Sequence, residues 1–408
     1  MKIGILAYNS ACNFGANLQL LSTVEFLKHN GHTPCVINWC PLSLEKVYET
    51  STPREQFLVH KDFREKYYNE TSLCRTAKDV ADVIMCNEIE AVIIGSDAVS
   101  QHHPLISRIH FPAKTIVSIL PITEERTFPN VFWGTFNSFL ERRVPLALMS
   151  TSCQNSDFKH FGKRMKTDMY ESIKQFCYIS VRDKWTQDMF SYISDGNNTP
   201  TITPDPVFAF NNNVDFVPTR EEILNKYSLP EKYFLFGLHN KKKINNEWIR
   251  EFEILANNNG YTCTNLPFPA QLNPIYPFKT TIKLPLDPID WYALIKYSSG
   301  YIGHNMHPIV VAIHNCVPFY CIDHYGVLKC FVSLQKKSSK IYDILHRAGF
   351  DDNRSSDGFL SKSLPSPMLV FSIIKEFNIN KCETFRNTYY KAYQSMMNSI
   401  MDSFNKCK

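Results

Sequence analysis

Apolar and polar positions along the chain repeat in the order of short buried strand, polar loop and amphipathic helix. The run from Lys2 to Tyr8 is apolar, a turn-rich segment follows, and the periodic stretch LQLLSTVEFLKHN predicts a helix that stops at Gly31. A second apolar run, from Cys35 to Trp39, comes directly after that helix. This order of strand, helix and strand predicts a parallel sheet with right-handed crossovers.

The same order continues through the first half of the chain. A polar and aromatic segment at about 50 to 75 predicts peripheral helices, and the helical pattern TAKDVADVIMCNE then leads into another strand. The predicted strands of this half are AVIIGSD, PLALMS, YISVRD and TITPDPVFAF. The stretch NNNVDFVPTREE lacks periodicity, which is typical of a linker.

A second set of strands and helices follows that linker. Its predicted elements are the strand YFLFGLHN, the helix WIREFEILANNNG, the strand YTCTNL, the helix DPIDWYALIKYSSG, the strand end YIGHN, the helix HPIVVAIHN and the strand VPFYCID. We therefore predict an α/β protein of two Rossmann-like domains with parallel sheets, residues 1–212 and 213–380, in a GT-B-like arrangement. The active-site cleft is expected between the two domains. A helix over 381–408 is expected to pack back on the first domain.

Composition narrows the class of protein. A length of 408 residues exceeds what one hydrophobic core usually serves, and 44% apolar with 20% charged residues is ordinary for a globular protein. Thirteen cysteines without regular spacing indicate reduced thiols in a cytoplasmic protein. No apolar stretch reaches the roughly 18 residues of a membrane helix, so we expect a soluble protein with at most peripheral membrane contact.

The charge of the chain gives no indication of a nucleic-acid partner. The formal net charge is +5, and the Lys and Arg residues are scattered apart from one short basic run at 241–243. A nucleic-acid-binding protein would concentrate basic residues on one face or stripe. We therefore predict no nucleic-acid partner.

The loop after the first predicted strand contains small residues where a helix begins. Asn13, Gly15 and Ala16 are placed so that backbone N–H groups can face an anion, although one glycine in a tight turn would give the same pattern. The loop lacks both G-x-G-x-x-G and the GK[ST] motif, so neither a dinucleotide nor an ATP P-loop is indicated. We predict no cofactor.

Two further strand ends carry polar residues. Ser96 and Asp97 end AVIIGSD, where the carboxylate can accept a proton or orient a sugar hydroxyl, or simply cap the next helix. Arg182 and Asp183 follow YISV in the same way. The guanidinium there can bind a carboxylate or phosphate, or form a surface ion pair.

The segment from Asp290 to Asp323 contains a histidine-rich turn between a strand and a very apolar helix. His304, Asn305 and His307 lie in that turn, and an imidazole at the first turn of a buried helix suits general acid or base chemistry. A structural role is the alternative for each histidine. A zinc site with His314 is a further alternative, but no carboxylate completes an H-E-x-x-H pattern, and we predict no metal.

Several segments in order resemble the polysaccharide pyruvyltransferase family. They are KIGILAYNSACNFGANLQLLS, AVIIGSD, YISVRDKWTQDMF, TPDPVF and YSSGYIGHNMHPIVVAIHNCVPF. The resemblance implies a GT-B-like enzyme that transfers the pyruvyl group of phosphoenolpyruvate to a sugar of a cell-surface polysaccharide or lipid-linked glycan, forming a pyruvate ketal. It also implies a cytoplasmic location, at the inner face of the membrane where the acceptor is lipid-linked.

The resemblance assigns roles to residues of this chain. It implies that the family's histidine corresponds to His307, and that its strand-end arginine and acidic neighbours correspond to Arg182, Asp183 and Asp97. The loop of Asn13, Gly15 and Ala16, together with Ser96, His304 and Asn305, is expected to bind substrate. Phosphoenolpyruvate and the glycan acceptor are the expected partners.

The chain departs from the family around its histidine. The family often has Arg or Ser before the histidine and Gly after it, whereas Met306 precedes His307 here and Pro308 follows. Two alternatives therefore stay open. One is a nucleotide-sugar glycosyltransferase of GT-B type, with Asp323 and Lys329 as the candidates for donor binding. The other is a glycan-binding protein that keeps the fold without catalysis.

Overall fold

The computed structural model describes residues 1–110, 118–119, 121–238, 244, 246–270, 276, 278–329, 333–334, 336–356 and 364–407. The basic run at 241–243 lies outside these residues. The helices are α1 (Phe14–His29), α2 (Leu42–Ser51), α3 (Arg54–Tyr67), α4 (Ala77–Cys86), α5 (Lys163–Ile173), α6 (Lys184–Ile193), α7 (Phe210–Asn213), α8 (Arg220–Tyr227), α9 (Asn246–Asn258), α10 (Pro288–Lys296), α11 (Met306–His314), α12 (Lys340–Ala348), α13 (Pro367–Lys375) and α14 (Ile379–Lys406). The strands are β1 (Lys2–Leu6), β2 (Thr33–Val36), β3 (Ala91–Asp97), β4 (Ile109–His110), β5 (Ser118–Ile119), β6 (Leu146–Thr151), β7 (Phe176–Val181), β8 (Thr201–Ile202), β9 (Tyr233–Gly237), β10 (Thr262–Asn265), β11 (Thr280–Thr281), β12 (Gly300–Gly303), β13 (Phe319–Asp323), β14 (Leu328–Lys329), β15 (Ser333–Leu334) and β16 (Arg354–Ser356).

Two parallel sheets form the framework and confirm the predicted α/β fold of two Rossmann-like halves. The first has the order β2-β1-β3-β6-β7-β8, and the second has the order β11-β10-β9-β12-β13-β16. In each sheet the order reverses at the first strand of its half, between β1 and β3 and between β9 and β12. Ligands of such sheets bind outside the carboxyl ends of the strands at that reversal, so both sheets direct attention to the same cleft. The exact domain boundaries remain a prediction.

One apolar core joins the two halves. Helix α1 packs on α10, and the rings of Phe14 and Trp291 stack with their centroids 5.3 Å apart. The buried apolar residues of α1, α10 and α11 belong to one continuous cluster with the strands of both sheets. Because interiors of this kind are close-packed, the cluster fixes the starts of α1 and α11 relative to each other.

The segment TITPDPVFAF contains less strand than its apolar pattern predicts. Only Thr201–Ile202 pairs with the sheet, and a 3-10 turn, Pro206–Ala209, follows. The side chain of Asp205 accepts the Val207 N–H at 3.0 Å, and Pro206 is the first residue of the turn, so a helical start replaces the strand. The expected linker is also partly helical, because Thr219 and Glu222 form a capping box that begins α8.

The segment at about 50 to 75 is helical as predicted, but it is not peripheral. The side chain of Gln56 in α3 donates to the carbonyl of Leu286 at 2.9 Å and accepts the Leu286 N–H at 2.7 Å. His60 in the same helix is buried and lies 2.8 Å from the Asn17 side-chain oxygen. Helix α3 therefore connects the first half to the loop before α10.

Helix α14 crosses elements of the first half. Its Tyr393 hydroxyl accepts a hydrogen bond from Asn213 at 3.3 Å, and the Tyr393 ring meets Phe26 edge-on at 5.6 Å between centroids. Phe208 contacts the Phe385 and Tyr389 rings of the same helix. Among the described residues, no helix is both long and apolar enough to cross a bilayer.

Candidate active site between the two sheets

A cavity of about 800 Å³ lies where the two sheets face each other. Its wall includes residues at or after the ends of three strands: Tyr8 and residues 11–16 after β1, Asp97 and Ala98 at the end of β3, and Asn305 to Pro308 after β12. A volume of this size is typical of a small-molecule site. The cavity thus lies at the reversal points of both sheets.

Three helices begin at this cavity. Gly15 is in the first turn of α1, His307 is in the first turn of α11, and Lys340 is the first residue of α12; all three line the wall. The first turns of helices have N–H groups without intrahelical partners and a partial positive charge, so their convergence favours an anionic ligand.

The start of α1 is organised by Asn13. Its side-chain oxygen accepts the Ala16 N–H at 3.2 Å, which makes Asn13 the N-cap. Asn13, Gly15 and Ala16 all line the cavity, and their role in substrate binding stays a prediction. The Ala16 N–H is already used in this hydrogen bond to Asn13. The Phe14 and Gly15 N–H groups are therefore the ones that can bind a ligand.

Gly15 and His307 meet directly across the two halves. A Cβ atom added to Gly15 would lie 2.0 Å from Cγ and 2.2 Å from Nδ1 of His307. No side chain fits in such a space, so the imidazole rests on the glycine backbone. The glycine of the first loop is therefore needed for the position of the histidine, which the local sequence pattern alone does not reveal.

The electrostatic environment of His307 favours its neutral form. Burial is the largest influence and lowers its pKa below the usual value, with Arg182 and Lys340 acting in the same direction. The carboxylates of Asp97 and Asp205 oppose this by raising the pKa. Within the described residues, the Nε2 atom of His307 is buried without a hydrogen-bond partner. A neutral imidazole with a vacant ring nitrogen can accept or pass on a proton.

Asp97 belongs to a buried charge network. Arg182 donates to Asp97 at 3.1 Å and to Asp205 at 2.8 Å, and Gln19 also donates to Asp205, at 2.5 Å. Burial alone would raise the pKa of Asp97, but Arg182, followed by His307 and Lys340, holds it well below its usual range. Asp97 is thus an ionised carboxylate in the cavity wall. It caps no helix, so that alternative is wrong.

The location of Arg182 fits neither direct binding of a ligand anion nor a surface ion pair, the two roles that the sequence allowed. It is 2% exposed and does not line the cavity, so its ion pairs are buried ones and not surface contacts. Both terminal nitrogens are used by Asp97 and Asp205. Asp205, which lies in the segment TPDPVF and was not predicted as a site residue, is the second carboxylate of this network.

Three other predicted substrate-binding residues lie behind the wall. Asp183 caps α6 by accepting the Thr186 N–H at 2.8 Å, and its other oxygen accepts from Ser152 at 2.7 Å. Ser96 is buried and donates to the Ser150 carbonyl at 3.2 Å. His304 is fully buried, and its ring lies 5.3 Å from that of His324. None of the three lines the cavity.

Lys340 is a cavity residue that the sequence did not single out. Its side chain is 8% exposed, lines the wall and places Nζ 4.9 Å from the centre of the Tyr325 ring. Burial, and then repulsion by Arg182, lower its pKa, while Asp97 has the opposite effect. In the described part of the chain no carboxylate lies within ion-pair distance of Nζ. The one local feature of Lys340 is that it directly follows Ser339, the N-cap of α12.

The turn around His307 accommodates Met306 and Pro308, the residues at which the chain differs from the family pattern. Helix α11 begins at Met306, one residue earlier than predicted, with Asn305 as the N-cap and Pro308 as the third helical residue. The missing N–H of a proline in the first turn would have had no intrahelical partner. Pro308 therefore preserves the helix start, and Asn305, Met306 and Pro308 all line the cavity.

The remaining histidine and acidic candidates are used elsewhere. His314 accepts the Asn211 N–H at 3.2 Å at the far end of α11, away from the cavity. No group of three His, Cys, Asp or Glu side chains could hold a metal ion in the part of the chain that the structure describes. Asp323 is buried, with an oxygen 2.7 Å from the Arg354 guanidinium and 2.5 Å from the Ser339 hydroxyl. Asp323 does not line the cavity.

Comparison with known proteins gives a family and a fold. A family model described as polysaccharide pyruvyl transferase matches residues 13–325. No curated protein sequence matches the chain. Among solved structures, the UDP-GlcNAc 2-epimerase of Neisseria meningitidis, bound to UDP-GlcNAc, has a TM-score of 0.57 at 10% identity, over 98% of this chain and 100% of that one. The UDP-N-acetylglucosamine 2-epimerase of Rickettsia bellii has a TM-score of 0.55 at 12% identity, over 99% and 97%. These likenesses show the fold alone.

Proposed function

The chain belongs to the polysaccharide pyruvyl transferase family, and on that premise we propose that it transfers the pyruvyl group of phosphoenolpyruvate to a glycan sugar. The product is a pyruvate ketal on two hydroxyls of that sugar. The reaction takes place in the cavity between the sheets, with His307 and Asp97 in the wall. The observation that carries this proposal is the meeting of three helix starts with His307 in one cavity.

The donor is held by positive charge that is not neutralised within the protein. Phosphoenolpyruvate carries a carboxylate and a phosphate, and Lys340 is a buried cation whose Nζ lacks an ion-pair partner among the described residues. The N-termini of α1 and α11 add the partial charge of their first turns. Arg182 does not reach the cavity and acts on the donor only indirectly, because it holds the ionised Asp97 in position.

His307 transfers the protons of the reaction. Two hydroxyls of the acceptor form bonds to C2 of the donor, the bond from C2 to the phosphate oxygen breaks, and the two hydroxyl protons end on C3 and on the departing phosphate. A neutral imidazole accepts a hydroxyl proton as the oxygen attacks, and its conjugate acid passes the proton on. The carboxylate of Asp97 stabilises the imidazolium and the positive charge that develops at C2.

Thermal unfolding with phosphoenolpyruvate tests the donor. A ligand at 100 times its Kd adds about 2.7 kcal/mol of stability, which gives a measurable rise in Tm. We expect this rise for the wild type and a much smaller one for Lys340→Met. The control Lys337→Met changes an exposed lysine three residues earlier and should behave as wild type. Uridine diphosphate is the control ligand.

Each alternative gives its own result. A rise with uridine diphosphate and none with phosphoenolpyruvate would replace the proposal with a nucleotide-sugar glycosyltransferase. Binding of phosphoenolpyruvate that Lys340→Met leaves intact would refute the donor site but not the donor. Binding of a glycan without any pyruvyl transfer would indicate a member of the family that has lost catalysis.

A further inference from the structure

A buried carboxylate lies in the cavity wall apart from His307. Glu125 is 1% exposed and lines the cavity. Its Oε1 atom accepts a hydrogen bond from Thr123 at 2.5 Å and lies 3.4 Å from Nε of Arg126. Its Oε2 atom is buried and has no hydrogen-bond partner in the described residues. A buried carboxylate oxygen without a partner is unfavourable, so this atom is suited to accept a hydrogen bond from a ligand.

The backbone around Glu125 is fixed. The side-chain amide of Asn130 donates to the carbonyls of Glu125 at 3.1 Å and of Thr127 at 2.8 Å. The Asn130 oxygen also accepts the Phe132 N–H at 2.9 Å, which begins a buried 3-10 turn. Arg126 has a side chain that is 54% exposed, so its ion pair with Glu125 is screened by solvent and weak. The carboxylate is therefore positioned by the fold and not by its cation.

Two tyrosines accompany Glu125 in the wall. Tyr8 donates to the Ala98 carbonyl at 3.2 Å and accepts from Gln101 at 3.1 Å. Tyr48 also lines the cavity, and its hydroxyl has no partner in the part of the chain described. Tyr8, Tyr48 and Glu125 all line the same cavity. Burial, with a further contribution from Glu125, raises the pKa of both phenols, so their hydroxyls keep their protons. Because Ala98 follows Asp97, this group adjoins the reaction site.

We propose that Glu125, Tyr8 and Tyr48 form an acceptor subsite that holds a hexopyranose, with Glu125 Oε2 accepting a hydrogen bond from a sugar hydroxyl. The proposal rests on the proposed function, since it gives the acceptor a location within the same cavity. Phosphoenolpyruvate does not fit this subsite, because it is anionic and has no hydroxyl to donate. A sugar has several such donors, and phenol hydroxyls can both donate to it and accept from it.

The test separates acceptor binding from donor binding. The probes are methyl β-glucopyranoside, methyl β-galactopyranoside and methyl β-mannopyranoside at millimolar concentration, and phosphoenolpyruvate in a separate titration. We expect the wild type to bind at least one hexoside, and Glu125→Gln to weaken that binding by about 10- to 100-fold, as expected for the loss of a charged hydrogen-bond partner. Glutamine has nearly the same shape, so the fold should be retained. Tyr48→Phe is the second variant and should weaken the hexoside by about threefold to tenfold.

The matched control is Glu124→Gln. This neighbouring glutamate is exposed and does not line the cavity, so the same change of charge should leave hexoside binding as in the wild type. Phosphoenolpyruvate binding should be equal in all four proteins. Equal hexoside binding by Glu125→Gln and wild type would overturn the subsite, as would a wild type that binds none of the hexosides. Loss of hexoside binding in Glu125→Gln would support the subsite even if phosphoenolpyruvate failed to bind, and that failure would refute the proposed function alone.

Discussion

The two sides of the cavity differ in how their charges are satisfied. On the first sheet, the charge network of Asp97, Arg182 and Asp205 is buried, and its oppositely charged groups are 2.8 and 3.1 Å apart. In the second half, His307 and Lys340 each lie at the start of a helix, and we call them the helix-start pair. Neither Nε2 of His307 nor Nζ of Lys340 has a hydrogen-bonding partner in the described residues. The difference teaches that a charged residue near a cavity is not by that alone available to a ligand. The network stabilises the wall, whereas the pair is left to act on a ligand.

This comparison also changes the role given to the arginine. A strand-end arginine suggests direct contact with an anion, yet both terminal nitrogens of Arg182 are already used by carboxylates. Its contribution is to keep Asp97 ionised and in one place in the cavity wall that also contains His307. A positioned electrostatic group costs no reorganisation during the reaction, which is where such groups are most effective.

The largest expected effect follows from breaking the charge network. Arg182→Met would leave Asp97 and Asp205 buried without their cation, and removal of one partner from a buried pair costs about 3–5 kcal/mol. That is a large part of the about 5–15 kcal/mol by which a domain is usually stable. Chemical denaturation measures the loss as a lower midpoint. The control Arg164→Met removes an arginine whose side chain is 96% exposed and 3.8 Å from Asp168, and should change little.

A similar denaturation midpoint for Arg182→Met and Arg164→Met would contradict this role. It would mean that the two carboxylates become protonated or hydrated at little cost. In that case the network would not stabilise the cavity wall, and the distinction between the charge network and the helix-start pair would fail.

The helix-start pair is tested through turnover. His307→Gln should lower the rate of phosphate release from phosphoenolpyruvate in the presence of acceptor by about 10²- to 10⁴-fold, as expected for the loss of a general acid or base. Stability and phosphoenolpyruvate binding should change little in comparison. His346→Gln is the control, because His346 is an exposed histidine of α12 that pairs with Asp351. Loss of folding in His307→Gln with no separate effect on rate would make the histidine structural.

The sequence predicted the framework well because strands and helices are local patterns. Both sheets, the helix starts at Asn13 and near His307, and the family follow from runs and motifs within the chain. The error at TITPDPVFAF was also local: Asp205 and Pro206 begin a helical turn inside an apolar run. Local hydrogen bonding outweighed the apolar pattern there.

The site was less predictable because its contacts are distant in sequence. Arg182 meets Asp97 across 85 positions, and Gln19 meets Asp205 across 186. Lys340 resembles any lysine near a helix start until the fold buries it in the cavity wall. Glu125 lies in a segment without a recognisable motif. Whether a charged residue is paired or available depends on tertiary contacts, which hydrophobic periodicity does not encode.

A smaller expected effect tests the contact between the two sides. Gly15→Ala would place a Cβ atom 2.0 Å from Cγ of His307, so the ring must move by about an ångström or more. Such a displacement of a catalytic group costs about 10²-fold in rate. Gly162→Ala is the control, because a Cβ atom there meets nothing within 4 Å. Equal rates for the two alanine variants would show that the position of His307 does not depend on Gly15.

The smallest expected effect is a shift in the pH dependence of kcat/KM, in opposite directions for two variants, Asp97→Asn and Lys340→Met. If neutral His307 is the base, kcat/KM rises with pH through the pKa of His307, which burial places below its usual value. Asp97 raises that pKa and Lys340 lowers it. Asp97→Asn should therefore move the acidic limb to lower pH, and Lys340→Met should move it to higher pH, each judged against its own plateau rate. Asp97 itself stays ionised across this range because its pKa is well below normal. Shifts in the same direction would mean that the limb reports a different group, and that His307 is not the point at which the two sides of the cavity act together.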